Sequence, residues 1–208
     1  SPEWLQEKLR VIGLRPVNNI VDITNYIMHA YGQPLHCFDA DMIKGGKVVV
    51  KTMPEGTPFV TLDGEEHKLS ERDLAICNVE EPMCIAGVFG GKGSGTYETT
   101  CNVLLESAYF NPTWIRKSAR RHGLSTDASF RFERGIDPNG VIYALKQAAM
   151  MCKELAGGEI AMEIKDVYPQ PIADFIVDLN YDYAYGLMGK NIGTDTVKSI
   201  VTSLEMKI

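Results

Sequence analysis

The clearest periodicity in the chain lies between Asp137 and Gly158, where Val141, Leu145, Ala148, Ala149, Cys152 and Leu155 recur at helical spacing. Asp137-Pro138 opens this helix and Gly157-Gly158 closes it. An earlier helix starts at Asn111-Pro112 and ends near His122-Gly123, with Arg120 and Arg121 in a last turn whose dipole favours cations. Near the beginning, Ser1-Pro2-Glu3 places a capping hydroxyl and a first-turn proline ahead of a helix stopped by Gly13. A second short helix is predicted from about Asp22 to Tyr31, closed by Gly32. From Lys47 the pattern changes: VVVKTM, TPFVTLDGEEHKL with Asp63-Gly64 as a hairpin turn, LAICN and NVLLESAYF read as strands between turn residues.

After Gly158 the signals weaken. EIAMEIKDVY reads as a strand, and PQPIAD (169–174) reads as a linker. Beyond it come a short strand (Phe175 to Leu179), a helical turn around Tyr181 to Leu187, and a helix from Thr194 with Val197, Ile200, Val201 and Leu204 on one face. Some 35 residues bury too little surface to be stable alone, so this segment is expected to be a truncated second domain.

One stretch resists both periods. In GLSTDASFRFERG (123–135), small and hydroxylated residues sit between basic clusters, and neither strand nor helix spacing fits. Such a loop is either ordinary surface or leaves room for something beside it. Charge sharpens the question. The chain carries a net −6, yet Arg116, Lys117, Arg120, Arg121, Arg131 and Arg134 face only Asp127 and Glu133 in their stretch, a local +4 against −10 elsewhere. A localised basic region suits one end or one strand of a nucleic acid; a solvated helix face accounts for the charge equally well.

Composition excludes other classes. At 208 residues, 45% hydrophobic and 23% charged, the chain reads as a globular protein with one well-buried core. No apolar run is long enough to span a bilayer, and Ser1-Pro2-Glu3 does not begin a secretory signal, so a cytosolic protein is expected. Cys37, Cys77, Cys84, Cys101 and Cys152 are odd in number and show no C-x-x-C spacing, which reads as reduced core thiols with no metal or disulfide framework.

The glycine-rich GVFGGKGSG (87–95) fails as a phosphate loop: Ala86 stands where a Walker loop needs glycine, and Gly93 where it needs Ser or Thr. It is a turn between strands or a place where backbone approaches a ligand closely. If NVLLESAYF is a strand, Glu106 shares a face with Asn102, Leu104, Ala108 and Phe110. Its carboxylate is then buried and in want of a partner, unless the strand is an edge and Glu106 faces water. Residues 15–41 interleave Asn18, Asn19, Thr24, Asn25, Gln33 and His36 with apolar residues, a density of neutral hydrogen-bonding groups that suits a polar ligand. His36 taken alone reads as a loop histidine satisfied by backbone. No spacing supports a covalent triad.

Together RPVNNIVDITNYIMHAYGQPLHCFDAD, GVFGGKGSG, NVLLESAYF and RRHGLSTDASFRFERGIDP resemble, in order, the signature segments of the tRNA-editing domain in bacterial phenylalanyl-tRNA synthetase beta chains. The resemblance covers residues 1 to about 165. It implies a mixed α/β (α+β) fold with an unusual β-sandwich core flanked by helices, an editing domain over 1–168, the linker at 169–174, and the start of a small winged-helix-like domain over 175–208. The strand-rich middle between helices is compatible with it.

Carried over residue by residue, the resemblance implies that Arg15, Thr24, Asn25, His36, Gly90, Glu106, Thr126 and Ala128 line an editing pocket. His36, Thr24 and Asn25 would orient ester and water; Glu106, Arg15, Gly90, Thr126 and Ala128 would bind substrate. The implied reaction is hydrolysis of tyrosine mischarged onto phenylalanine tRNA, with Glu106 reading the phenol and Thr126 and Ala128 forming a small-residue wall. No cofactor is implied in this segment; ATP and magnesium belong to the parent synthetase, as does its alpha-chain partner. The rival reading is a non-catalytic module that binds tRNA or a partner chain.

Overall fold

The computed structural model describes residues 1–208 and divides into two compact units, Ser1–Lys165 and Asp166–Ile208. The first unit opens with α1 (Glu3–Val11) and α2 (Asn19–Tyr31). Pro2, not Ser1, occupies the N-cap of α1, because the Ser1 hydroxyl donates instead to buried Asp22 at 2.5 Å. On α1, Leu5 and Leu9 stand one turn apart and are fully buried, each worth about 1.5–3 kcal/mol of burial. α2 begins three residues before the expected Asp22, since the Asn18 side chain accepts from Val21 N–H and caps it. Gly32, at φ 73, closes it as expected.

Eight antiparallel strands follow in three sheets: β1 (Leu35–Asp39), β2 (Val49–Thr52), β3 (Thr57–Val60), β4 (Glu66–Leu69), β5 (Leu74–Cys77), β6 (Pro82–Ile85), β7 (Phe89–Gly90) and β8 (Val103–Ser107). The sheet order is β2-β5-β6-β7, with separate ribbons β3-β4 and β1-β8. The hairpin predicted at Asp63-Gly64 joins β3 and β4, and Gly64 turns the chain at φ 90, which only glycine adopts freely. Phe59 and Leu69 of one ribbon pack with Ile76, Met83 and Ile85 of the four-stranded sheet and Phe38 of the other ribbon in a single core.

The β1-β8 ribbon divides two cores. Strand alternation sends Phe38 and Leu104 into the strand-rich core, while Leu35 and Leu105 meet Leu5, Leu9, Ile23 and Ile27 of α1 and α2. α5 (Gly140–Ala156) completes that helical layer with Ala144 and Ala148 at its buried centre, close to the predicted stripe.

α3 (Pro112–His122) is capped by Asn111 and ends on left-handed Gly123, as its punctuation requires. Its last turn holds fully buried Asp73, which accepts from the Ser118 hydroxyl at 2.7 Å, the Arg121 guanidinium, and His122 Nε2 at 2.7 Å. Burial raises the Asp73 carboxyl, but hydrogen bonds from Ser118, the Ser70 N–H and His122 outweigh it and hold the group below its ordinary value. One of the apparently free cations of this region, Arg121, is thereby spent on structure.

The stretch 123–135 is not all loop. A six-residue helix, α4 (Asp127–Phe132), forms there because Thr126 and Ser129 make a reciprocal capping box. With only six residues, no apolar periodicity could announce it. Of the cysteines, all unpaired, Cys37, Cys77 and Cys84 are buried, but Cys101 is exposed, which corrects the expectation that all five are core thiols.

The second unit contains α6 (Tyr181–Met188) and α7 (Thr194–Ser203). The strands expected at 159–168 and 175–179 do not form; both stretches lack regular structure. Phe175, Ile176 and Val177 are almost wholly exposed, so the apolar run that suggested a strand has no neighbouring strand or core to satisfy it. No helix of the structure is long and apolar enough to cross a membrane.

Candidate functional site

A cleft of about 60 Å³ opens at the ribbon's strand-rich face, lined by His36 of β1, Glu106 of β8, Cys84, Gly87, Val88, Phe110, and Ala128 and Phe132 of α4 among others. The polar pair is built by register. His36 and Glu106 are direct partners in the antiparallel β1-β8 ladder, so their side chains leave the same face with Cβ atoms about 5 Å apart. The expectation that Glu106 shares a face with Leu104 and with apolar Ala108 and Phe110 agrees with the packing of those three residues in the strand-rich core.

Burial governs both groups. It pushes the Glu106 carboxyl up to about 7 and the His36 imidazole down to about 4. Glu106 takes part in no ion pair, and His36 Nε2 is buried with no hydrogen-bond partner. The histidine is thus neutral near pH 7 and is not the backbone-satisfied loop residue it could have been. Its ring stands edge-on to Phe38, with centroids 4.5 Å apart. The nearby Cys84 thiol is held well above its ordinary value, first by burial and then by the charge of Glu106.

Gly90 explains how the imidazole fits. A Cβ there would lie 2.9 Å from His36 Cε1 and 2.8 Å from Leu62 Cδ1, so bare backbone is what lets the ring settle. Gly87, which the motif reading did not single out, has φ 66, and a Cβ on it would come within 3.0 Å of both Phe110 and Phe132. Its only signal in sequence is its place in the glycine-rich segment.

The predicted residues divide into groups. His36, Glu106 and Ala128 line the cleft, and Gly90 touches its histidine. Thr126 does not line it. Its hydroxyl accepts from Ser129 N–H at 3.0 Å and donates to the Val88 carbonyl at 3.0 Å, which fastens α4 against the cleft wall. Thr24, Asn25 and Arg15 are also absent from the lining: Thr24 is buried with its hydroxyl donated to the Val21 carbonyl, Asn25 is half-buried on α2, and Arg15 is exposed ahead of it. His29 at the end of α2 was missed by sequence reasoning; its Nδ1 lies 3.1 Å from Arg131 of α4, tying these two helices together.

A family model described as the B3/4 domain matches residues 1–157, and the chain belongs to that family. The chain is similar throughout its length to phenylalanine-tRNA ligase beta subunits: 73% identical to that of Bacteroides fragilis and 53% to that of Porphyromonas gingivalis, with 100% of this chain and 25% of each relative covered. The beta subunit of Geobacter metallireducens is 45% identical, with 100% of this chain and 26% of the relative covered. The chain therefore spans about a quarter of the length of the curated relatives it matches. A crystal structure of an N-terminal fragment of the phenylalanyl-tRNA synthetase beta subunit from Pyrococcus horikoshii is 16% identical, covering 88% of this chain and 54% of that one at a TM-score of 0.47.

Proposed function

We propose that this chain is the editing segment of a bacterial phenylalanine-tRNA ligase beta subunit, and that its cleft hydrolyses the ester joining tyrosine to phenylalanine tRNA in the cytoplasm. The observation that supports this most is the His36–Glu106 pair, two half-buried polar side chains facing one another, His36 Nε2 buried without a hydrogen-bond partner and Glu106 in no ion pair, in a cleft walled by Ala128.

A synthetic pocket must exclude one hydroxyl, which a hydrophobic site does poorly; a second site that demands the hydroxyl solves the problem. Glu106 accepts the tyrosine phenol in this mechanism. Phenylalanine would leave the carboxyl without a partner, at a cost of about 1–3 kcal/mol. Tyrosine is selected by that penalty.

Water oxygen attacks the ester carbonyl carbon, the bond to the ribose oxygen breaks, and the ribose leaves as its hydroxyl with a proton from the water. Neutral His36 orients the water or the ester through Nε2, and a neighbouring ribose hydroxyl assists. The Thr24 hydroxyl is already engaged, so the orienting role passes largely to His36. Asn25 and Arg15 are available to nucleotides outside the cleft. This hydrolysis draws on no cofactor; ATP, magnesium and the alpha chain serve the full-length enzyme's charging reaction.

A second reading, a module that binds tRNA or a partner chain without chemistry, draws support from the absence of Thr24 and Asn25 from the cleft lining. Tyr-tRNA deacylation by the full-length enzyme, with His36→Ala as comparison, separates the two. Wild-type deacylation lost in the variant supports the editing site; no deacylation by the wild type leaves the binding module.

A further inference from the structure

A second cavity, about 260 Å³, lies between α3 and α4 and is not used by the hydrolysis described above. Arg120, Ser125, Phe130 and Glu133 contribute its chemistry. α4 is a wall common to both cavities: Ala128 and Phe132, one turn apart, face the His36–Glu106 cleft, while Ser129, Phe130 and Glu133 face the second cavity.

Phe130 is about half exposed, and the Arg134 guanidinium, itself ion-paired with Glu133, stacks on its ring at 3.6 Å from the centroid. Arg116, Lys117 and Arg120 of α3 form no ion pair, unlike Arg121, Arg131 and Arg134. The residual positive charge of this region is therefore concentrated on the helix that borders the cavity, in a chain of net −6. An aromatic face, an adjoining guanidinium and unpaired cations are the elements that hold unpaired nucleotides by stacking and phosphate contact.

We propose that this cavity seats an unpaired base of single-stranded RNA, one to three nucleotides upstream of the end that enters the His36–Glu106 cleft. The assignment of that end rests on the editing reading. The base stacks on the face of Phe130 away from Arg134, Arg120 takes an adjoining phosphate, and Glu133, whose Oε1 is paired with Arg134 at 2.6 Å, accepts from an exocyclic amino group through its second oxygen. The spacing fits: the two cavities are separated by one helix, about 10 Å across, and a stacked strand advances about 3.4 Å per nucleotide. Because a carboxylate only accepts hydrogen bonds, cytosine and adenine, which present an exocyclic amino group, bind better here than uracil, whose one base donor is its ring N3–H.

The test uses the full-length protein and an RNA hairpin with a four-nucleotide single-stranded 3′ tail carrying 2-aminopurine and no amino acid. Phe130→Ala and Arg120→Ala are each expected to weaken binding about tenfold and Phe130→Ala to abolish the fluorescence quenching, while Phe130→Trp retains both. A tail of uridines should bind more weakly than one of cytidines, a preference that Glu133→Gln reduces. Both alanine variants binding like the wild type would overturn the proposal. Because the probe carries no ester, the result is independent of hydrolysis. Loss of binding in an enzyme that never deacylates Tyr-tRNA keeps the base site and removes the editing reading, whereas intact deacylation with unaltered binding removes only the base site.

Discussion

His36 and Glu106 stand opposite each other across β1 and β8, and burial moves their titrations toward neutrality of both side chains: the imidazole falls to about 4 and the carboxyl rises to about 7. Each therefore binds protons differently in the folded and unfolded states, with opposite effects on stability.

The sign of each effect is set by which state holds the proton. Unfolded His36 binds one below about pH 6.5 and folded His36 only below about 4, so its contribution is lost as pH falls across that window. Folded Glu106 keeps its proton up to about 7, whereas the unfolded carboxyl releases it near 4.5, so stability falls as pH rises between them. Near pH 5–6 the two slopes oppose. Glu106→Gln should expose a stability that rises with pH there, and His36→Asn one that falls, each by up to about 3 kcal/mol across its window. Denaturant midpoints measured from pH 4 to 8 check this; matching pH dependence in both variants would show that the pair is not buried as described.

A second expectation concerns space. Gly90→Ala should lower the melting temperature modestly, because a Cβ there displaces Leu62 and the His36 ring packed against Phe38 while leaving the backbone in place. Tyr-tRNA deacylation should nevertheless fall about tenfold or more, since the imidazole must shift and small misplacements of an orienting group are costly. Ala128→Trp should abolish deacylation by filling the cleft while phenylalanine charging persists. Full deacylation by both variants would place the reaction elsewhere.

Thr126 offers a test of a supporting role. Thr126→Val keeps the shape but loses the cap and the bond to Val88, and should cost about 1 kcal/mol and slow deacylation through a loosened α4. Thr126→Ser retains the hydroxyl and should restore both. Were serine as damaging as valine, the methyl, not the hydroxyl, would be the part that matters.

Much of this arrangement was readable before the fold. The alternation around Glu106 placed its carboxylate among apolar residues, and glycine and asparagine punctuation located most helix ends, because both depend on local periodicity and capping. What escaped depends on long-range contact. β1 lay hidden in a segment rich in neutral polar residues, since its edge of the fold is decided by pairing with β8, 60-odd residues away. β7 was too short to register, β6 opens on Pro82, which demotes a strand, and α4 arose from one capping box. The opposite error occurred at 159–168 and 175–179, where apolar residues alone suggested strands but no partner strand exists to accept their hydrogen bonds. Thr126 and Ala128 are near neighbours in sequence, yet helix geometry gives one to the cap and the other to the cleft.

Whether the Glu106 carboxylate reads the tyrosine hydroxyl is decided by the ratio of deacylation rates for Tyr-tRNA and Phe-tRNA in the full-length enzyme, wild type against Glu106→Ala. A charge-assisted hydrogen bond of about 1.5–3 kcal/mol corresponds to a preference of roughly ten- to hundredfold. The ratio should fall by about that factor in Glu106→Ala, because tyrosine loses its acceptor and phenylalanine no longer leaves the carboxyl unpartnered. An unchanged ratio, with both rates lowered together and the melting temperature reduced, would contradict it and leave Glu106 a structural residue.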